Sequence, residues 1–277
     1  MTTESNEKIR ETVRQGYAKV VKTGSGCCGP KSSCCGGTSS VKTISKKIGY
    51  AEEDMQNVPE GANLGLGCGN PIAIASLKEG ETVLDLGSGA GFDCFLAANK
   101  VGPAGKVIGV DMTAEMVEKA KKNAQKGHYA NVEFRLGEIE RLPVDGNSVD
   151  VVISNCVINL VPDKSDAFKE AYRVLKPGGR LMVSDVVLLK SLPKSIQNSV
   201  EAYIGCLSGA MMKDNYLQVI SKAGFKNVKV LEENAFPLDV MANDTTAKAI
   251  LDTPEVSAED IKSAENSVAS VKVLATK

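Results

Sequence analysis

Eight cysteines are the residues with the most chemistry in this 277-residue chain: Cys27, Cys28, Cys34, Cys35, Cys68, Cys94, Cys156 and Cys206. In a reducing compartment they rest as thiols, which as thiolates select soft, thiophilic ions or exchange disulfides. They are too sparse and too unevenly placed for a disulfide scaffold. Two vicinal pairs, Cys27-Cys28 and Cys34-Cys35, sit in the low-complexity run TGSGCCGPKSSCCGGTSS. Their Cys-Cys-x5-Cys-Cys pattern lacks the usual C-x2-4-C spacing of a structural zinc site, so a thiol function outranks zinc for these four. Cys94 reads as a small buried hydrophobe. The sole histidine, His128, lies in a Gly127-His128-Tyr129 loop and reads as a surface residue. Without a histidine base, a nucleophile that needs no deprotonation is attractive: a thiolate or a soft lone-pair atom.

A second chemical feature is the stretch Thr82-Val83-Leu84-Asp85-Leu86-Gly87-Ser88-Gly89-Ala90-Gly91-Phe92-Asp93. An apolar run suited to a strand buried on both faces leads into three alternating glycines and then a helix. Glycines let backbone approach a ligand closely, and the helix start aims unpaired N–H groups into the same space. The spacing is G-x-G-x-G with Phe92 at the sixth position, so the third glycine of a dinucleotide fingerprint is missing. No Gly-Lys-Ser/Thr follows, which excludes a P-loop. Asp111 ends the next expected strand, where an acid can hold two ribose hydroxyls. Gly137-Glu138-Ile139-Glu140 follows the third, where an acid and an aliphatic side chain could flank an adenine.

The elements that must position these residues follow from periodicity. Strands are expected at 82–86, 106–110, 132–136, 149–154 and 180–185, with helices at 90–100, 113–126 and 163–175. Such alternation means a parallel sheet covered by helices on both faces. Thr113 is the expected N-cap of the second helix, and Lys176-Pro177-Gly178-Gly179 the stop of the third. An amphipathic helix over 4–22, helical potential around Ser45–Tyr50 and a short helix at 72–78 precede the sheet. Helices over 194–209 and 214–223, a strand at 226–232, a capping box at Ser257-Ala258-Glu259-Asp260 and a last strand at 268–275 complete it. The fold expected is α/β: a Rossmann-like seven-stranded sheet, mostly parallel with one reversed strand. Three parts are expected: residues 1–60, a helix and a mobile Cys-rich loop; 61–187, the cofactor-binding core; and 188–277, a substrate lid carrying Cys206 with the final strands.

Composition narrows the partners. With 33 basic and 34 acidic residues the net charge is −1, aromatics are 4% and tryptophan is absent. Neither a polyanion-binding surface nor base-stacking platforms fit, so nucleic acid is not an expected partner. No apolar run approaches the roughly 18 residues of a membrane span. The start, MTTESNEKIRE, is not a signal peptide, and a cytoplasmic location is expected.

LDLGSGAG, GVDMT, LPVDGNSVDVVIS and LKPGGRL, in this order, resemble the seven-stranded S-adenosylmethionine-dependent methyltransferases. The resemblance implies S-adenosyl-L-methionine as cofactor and assigns to it Asp85, Gly87, Gly89, Gly91, Asp111, Met112, Glu138, Ile139 and Asn155. Ligands in such sheets lie beyond the carboxyl ends of the strands. Cys156 is just past the fourth strand, Cys68 is in the glycine loop before the first, and Cys206 is in the insertion after the fifth. Three soft ligands from three segments could therefore converge. Their surroundings, GLGCGNP, SNCVINLVPDK and GCLSGA, are similar to the arsenite methyltransferase family. That family implies As(III), free or methylated and carried as a thiol conjugate, held by Cys68, Cys156 and Cys206. It also implies a disulfide cycle through an N-terminal cysteine, reduced by thioredoxin or glutathione. Cys27 and Cys28 are the first candidates, with Cys34 and Cys35 as further thiols; which of the four acts stays open. Two other readings remain: a methyltransferase for a quinone-type carbon or a small thiol, and a thiol-based metalloid-binding protein without turnover.

Overall fold

The computed structural model describes residues 3–23, 37–71, 76–194, 209–235, 257, 259 and 267–277. Cys27, Cys28, Cys34, Cys35 and Cys206 lie outside them, as do residues 72–75 of the expected helix at 72–78 and most of the one at 194–209. The capping box is described only at Ser257 and Glu259.

The strands are β1 (Thr82–Leu86), β2 (Lys106–Asp111), β3 (Val132–Leu136), β4 (Val149–Asn155), β5 (Leu175–Leu188), β6 (Lys226–Ala235) and β7 (Val268–Thr276). They form one seven-stranded sheet in the order β3-β2-β1-β4-β5-β7-β6. The first five pair in parallel, and β7 runs antiparallel to both neighbours. It is the one reversed strand. The strand order changes direction between β1 and β4, which places the ligand crevice at their carboxyl ends.

Alternate residues of the central strands feed two cores. Leu84, Leu86, Ile108, Val110, Val152, Leu181 and Val183 face one layer with Phe168, Tyr216 and Ile220. Val83, Val107, Val151, Ile153 and Met182 face the other with Phe95, Val117 and Phe134. This two-sided burial is why these strands read as continuous apolar runs.

Helices are α1 (Thr3–Thr23), α2 (Gly37–Lys47), α3 (Glu52–Gln56), α4 (Phe92–Val101), α5 (Ala114–Lys126), α6 (Lys164–Val174) and α7 (Lys213–Lys222). The expected helix at 90–100 begins later, because Gly91 takes the left-handed conformation (φ 94°) as its N-cap. Thr113 is at the N-cap of α5 without a capping bond from its side chain. Asp163 does cap α6, accepting from the N–H groups of Ser165 and Asp166. The helix expected around Ser45–Tyr50 is displaced: α2 ends at Lys47, and Gly49 at φ 100° turns the chain out before Tyr50. β5 is far longer than expected. Leu175 already pairs with Val149, Pro177-Gly178-Gly179 passes as an irregularity, and β7 pairs with it as far as Leu188.

Candidate active site

The glycine turn is fixed from below. The N–H groups of Gly87 and Ser88 both donate to the Val110 carbonyl, at 2.8 and 3.0 Å. Gly87 (φ 68°) has no room for a side chain, because a Cβ there would run into Val157. Gly89 (φ 51°) differs: among the described residues a Cβ would meet nothing within 4 Å, so its backbone borders open space.

Asp111 links that turn to the end of β2. One carboxylate oxygen accepts from the N–H of Gly89 at 2.9 Å, the other from that of Thr113 at 2.8 Å. Burial raises its pKa against these bonds. The Thr113 side chain also bonds to it, so about one of a carboxylate's four or so acceptor sites is left over. Asp85 is 2% exposed, and its pKa is pushed well up by burial and by the charges of Asp93 and Asp111. The Cys94 thiol donates to it at 3.2 Å. Cys94 is thus buried, as its sequence context implies, and is also a hydrogen-bond donor.

Ile139 is buried, whereas Glu138 is engaged by α1 through Arg10 at 3.7 Å and Arg14 at 3.6 Å. Arg10 also reaches Glu140 at 3.0 Å. Val13 of α1, fully buried, packs with Leu160, Met112, Cys156 and Val157. The first helix therefore lies against the residues expected to hold a nucleotide cofactor. His128 is exposed, as expected.

The thiol side starts at Asn155, the last residue of β4. Its Oδ1 accepts from the Cys68 N–H at 3.1 Å. Its Nδ2 lies 2.8 Å from the Gly69 carbonyl, 2.8 Å from the Tyr50 hydroxyl and 3.1 Å from Asp93. Tyr50 in turn donates to Asp93 at 2.6 Å. The Gly67-Cys68-Gly69 loop needs its glycines. A Cβ on Gly67 (φ 113°) would strike the Asn155 amide, and one on Gly69 would strike Ser184. Ser270 of β7 supports the loop from below, donating to the Cys68 carbonyl at 2.7 Å. Cys156 follows at φ 57°, a conformation that costs a non-glycine residue about 1 kcal/mol, with its N–H on the Ser184 carbonyl at 2.8 Å.

These constraints bring Cys68 and Cys156 together. Their sulfurs and a carboxylate oxygen of Asp185 all lie within 4.8 Å of one another. Asp185 is fully buried on β5 and accepts from Asn159 at 2.9 Å, Tyr216 at 3.0 Å and the Val186 N–H at 2.9 Å. Burial pushes its pKa up to about 7 against those bonds. Asp93 is pushed up to about 6 for the same reason.

Sequence reasoning misses Tyr50, Asp93, Asn159, Asp185 and Tyr216. Asp185 was within reach, because a carboxylate at the carboxyl-terminal part of a central parallel strand borders the ligand crevice. Asp93 and Tyr50 carry no such signal, because tertiary packing alone brings them to Asn155.

The strand order and the glycine turn followed by an acid define a methyltransferase domain, and residues 77–224 match the family model described as "Methyltransferase domain". Similar proteins narrow the class. The arsenite methyltransferase of Halobacterium salinarum is 50% identical over 231 residues, covering 81% of this chain and 59% of that protein. The human arsenite methyltransferase is 36% identical over 261 residues, covering 91% and 66%. The crystal structure of CrArsM, an arsenic(III) S-adenosylmethionine methyltransferase from Chlamydomonas reinhardtii, superposes with a TM-score of 0.62 at 33% identity, covering 86% and 73%. The chain belongs to the arsenite methyltransferase family. It spans about 59% of the length of the Halobacterium relative.

Proposed function

We propose that this chain transfers the methyl group of S-adenosyl-L-methionine to As(III) held by Cys68, Cys156 and Cys206. One observation carries the reading: the Cys68 and Cys156 sulfurs lie together where β4 ends, beside Val157, whose side chain packs over Gly87 of the glycine turn. That contact supports a thiol site beside the cofactor turn.

The residues present fit the cofactor. Gly89 borders open space, Asp111 keeps an acceptor site for a ribose hydroxyl, and Ile139 and Met112 offer apolar contact near the acid Glu138. Asp85, Gly87, Gly91 and Asn155 complete the expected set. When bound, S-adenosylmethionine supplies an electrophilic sulfonium methyl.

As(III) is the substrate, delivered as arsenite or methylarsenite on small thiols. Thiolates suit it because they are soft, and on capture their protons leave with the displaced ligands, as water from arsenite or as free thiol from a conjugate. Its lone pair is the nucleophile, so no base has to deprotonate arsenic. Methylation formally oxidises arsenic by two electrons. Two thiolates closing to one disulfide return them, and thioredoxin or glutathione then restores the thiols. Cys27 and Cys28 are the proposed partners in that cycle, with Cys34 and Cys35 as further thiols, in a cytoplasmic setting. The cluster within the described residues supports arsenic over a quinone-type carbon, which has no use for two convergent thiols.

Incubation with methyl-deuterated S-adenosylmethionine, arsenite and a thiol reductant tests the proposal. Deuterated methyl on arsenic is expected. Deuterium found only in unreacted cofactor, with arsenite intact, would overturn it.

A further inference from the structure

The Asp185 carboxylate has no described counter-ion in contact. Its hydrogen-bond partners are an amide, a phenol and a backbone N–H, all neutral. Lys164 lends it a positive charge without touching it, and donates to the Val161 carbonyl at 3.4 Å. A fully buried carboxyl surrounded by neutral donors is expensive to keep. It stands within 4.8 Å of both sulfurs, where any arsenic bound to Cys68 and Cys156 must also stand.

We infer that Asp185 is a charge-stabilising residue of methyl transfer: its carboxylate offsets the positive charge that develops on arsenic. This rests on the function proposed above. The movement of charge during transfer gives such a partner a role. An arsenic bound by three thiolates is neutral before transfer. Its lone pair forms the As–C bond while the C–S bond of the sulfonium breaks, the bonding pair going to sulfur. Sulfur becomes a neutral thioether, arsenic carries the charge, and no proton moves. The cation thus passes from cofactor to metalloid. A fixed negative group beside arsenic, oriented beforehand by Asn159, Tyr216 and the Val186 N–H, favours the later distribution over the earlier one. Tyr216 is fully buried on α7 and Asn159 on the 3-10 turn Ile158–Leu160, so both donors are held by the core.

The test is Asp185→Asn in the full chain, with three readouts. As(III) affinity is measured by calorimetry, stability by urea unfolding, and the single-turnover rate of arsenic methylation by rapid quench. As(III) affinity is expected within about twofold of wild type, while the single-turnover rate falls about 10- to 100-fold. Asp185→Glu, which keeps the charge, should recover part of that loss. Where the Asn variant does not fold, Asp185→Ser serves in its place. A wild-type rate in a variant without the carboxylate would overturn the inference while leaving the proposed function standing. So would As(III) affinity falling in step with rate, which would make Asp185 a ligand. A wild-type chain that binds As(III) and forms no methylated arsenic would overturn the function itself, and this inference with it.

Discussion

Replacing Asn155 separates packing from charge at the joint that holds Cys68. In Asn155→Ala the Cys68 N–H and the Gly69 carbonyl lose their described side-chain partner, while Tyr50 keeps its bond to Asp93. Two buried backbone groups left unsatisfied cost about 1–3 kcal/mol each, so a loss of about 3 kcal/mol is expected. That is a large part of the roughly 5–15 kcal/mol that holds a domain. Asn155→Asp keeps an acceptor for the Cys68 N–H but turns an oxygen toward Asp93, where the amide nitrogen now sits at 3.1 Å. Two carboxylates that close cannot both ionise, so the pair retains a proton. Asp93 is already pushed up to about 6 by burial. A carboxyl whose folded pKa is raised stabilises the fold at low pH and loses that contribution as pH rises through the folded value. The Asp variant should therefore match the Ala variant near pH 5 and fall below it by about 1–3 kcal/mol at pH 8. Urea unfolding followed by far-ultraviolet circular dichroism at both pH values measures this, the chain having no tryptophan to report. A gap between the variants that does not change with pH would refute the reasoning. In Asn155→Ala the affinity for S-adenosylmethionine is a separate check: a tenfold loss would assign Asn155 to the cofactor, and an unchanged value to the Cys68 loop.

Arg10→Ala should loosen α1 from Glu138 and Glu140, raising hydrogen exchange of the α1 amides about tenfold, which corresponds to about 1.4 kcal/mol; unchanged protection would mean that Val13 alone seats the helix. Gly87→Ala should destabilise the fold by about 2–4 kcal/mol and abolish S-adenosylmethionine binding, because the new methyl runs into Val157 at a left-handed backbone position. A melting temperature at the wild-type value would contradict that. Loss of Cys27 and Cys28 together should slow steady-state turnover more than As(III) binding; unchanged rates with a physiological reductant would remove them from the cycle.

What could be read in the sequence divides along physical lines. β1 falls where its apolar run does, because burial on both faces leaves it no freedom to alternate, and β3, at the sheet edge with only Phe134 buried, falls where expected too. Cys156 could be located because the residue after β4 borders the crevice at the switch point, whereas Cys68, in a loop that enters at the amino end of β1, was marked by the family resemblance of its surroundings. The start of α4 was misplaced by the left-handed Gly91, the start of β5 by pairing of Leu175 with Val149, and its end by a pairing partner, β7, eighty or more residues away. Asp93, Tyr50 and Asp185 were not legible as site residues for a related reason. Each looks like an ordinary polar residue until the fold buries it against Asn155 or the thiols, and its pKa is set by that burial rather than by its neighbours in sequence.

Arsenic speciation after one incubation of wild type and Cys156→Ser, with arsenite, S-adenosylmethionine and a dithiol, tests the account most directly. Wild type should yield methylated arsenic in step with S-adenosylhomocysteine, and Cys156→Ser should yield none while still binding S-adenosylmethionine. Arsenite left unchanged by wild type, or normal methylated product from Cys156→Ser, would contradict it.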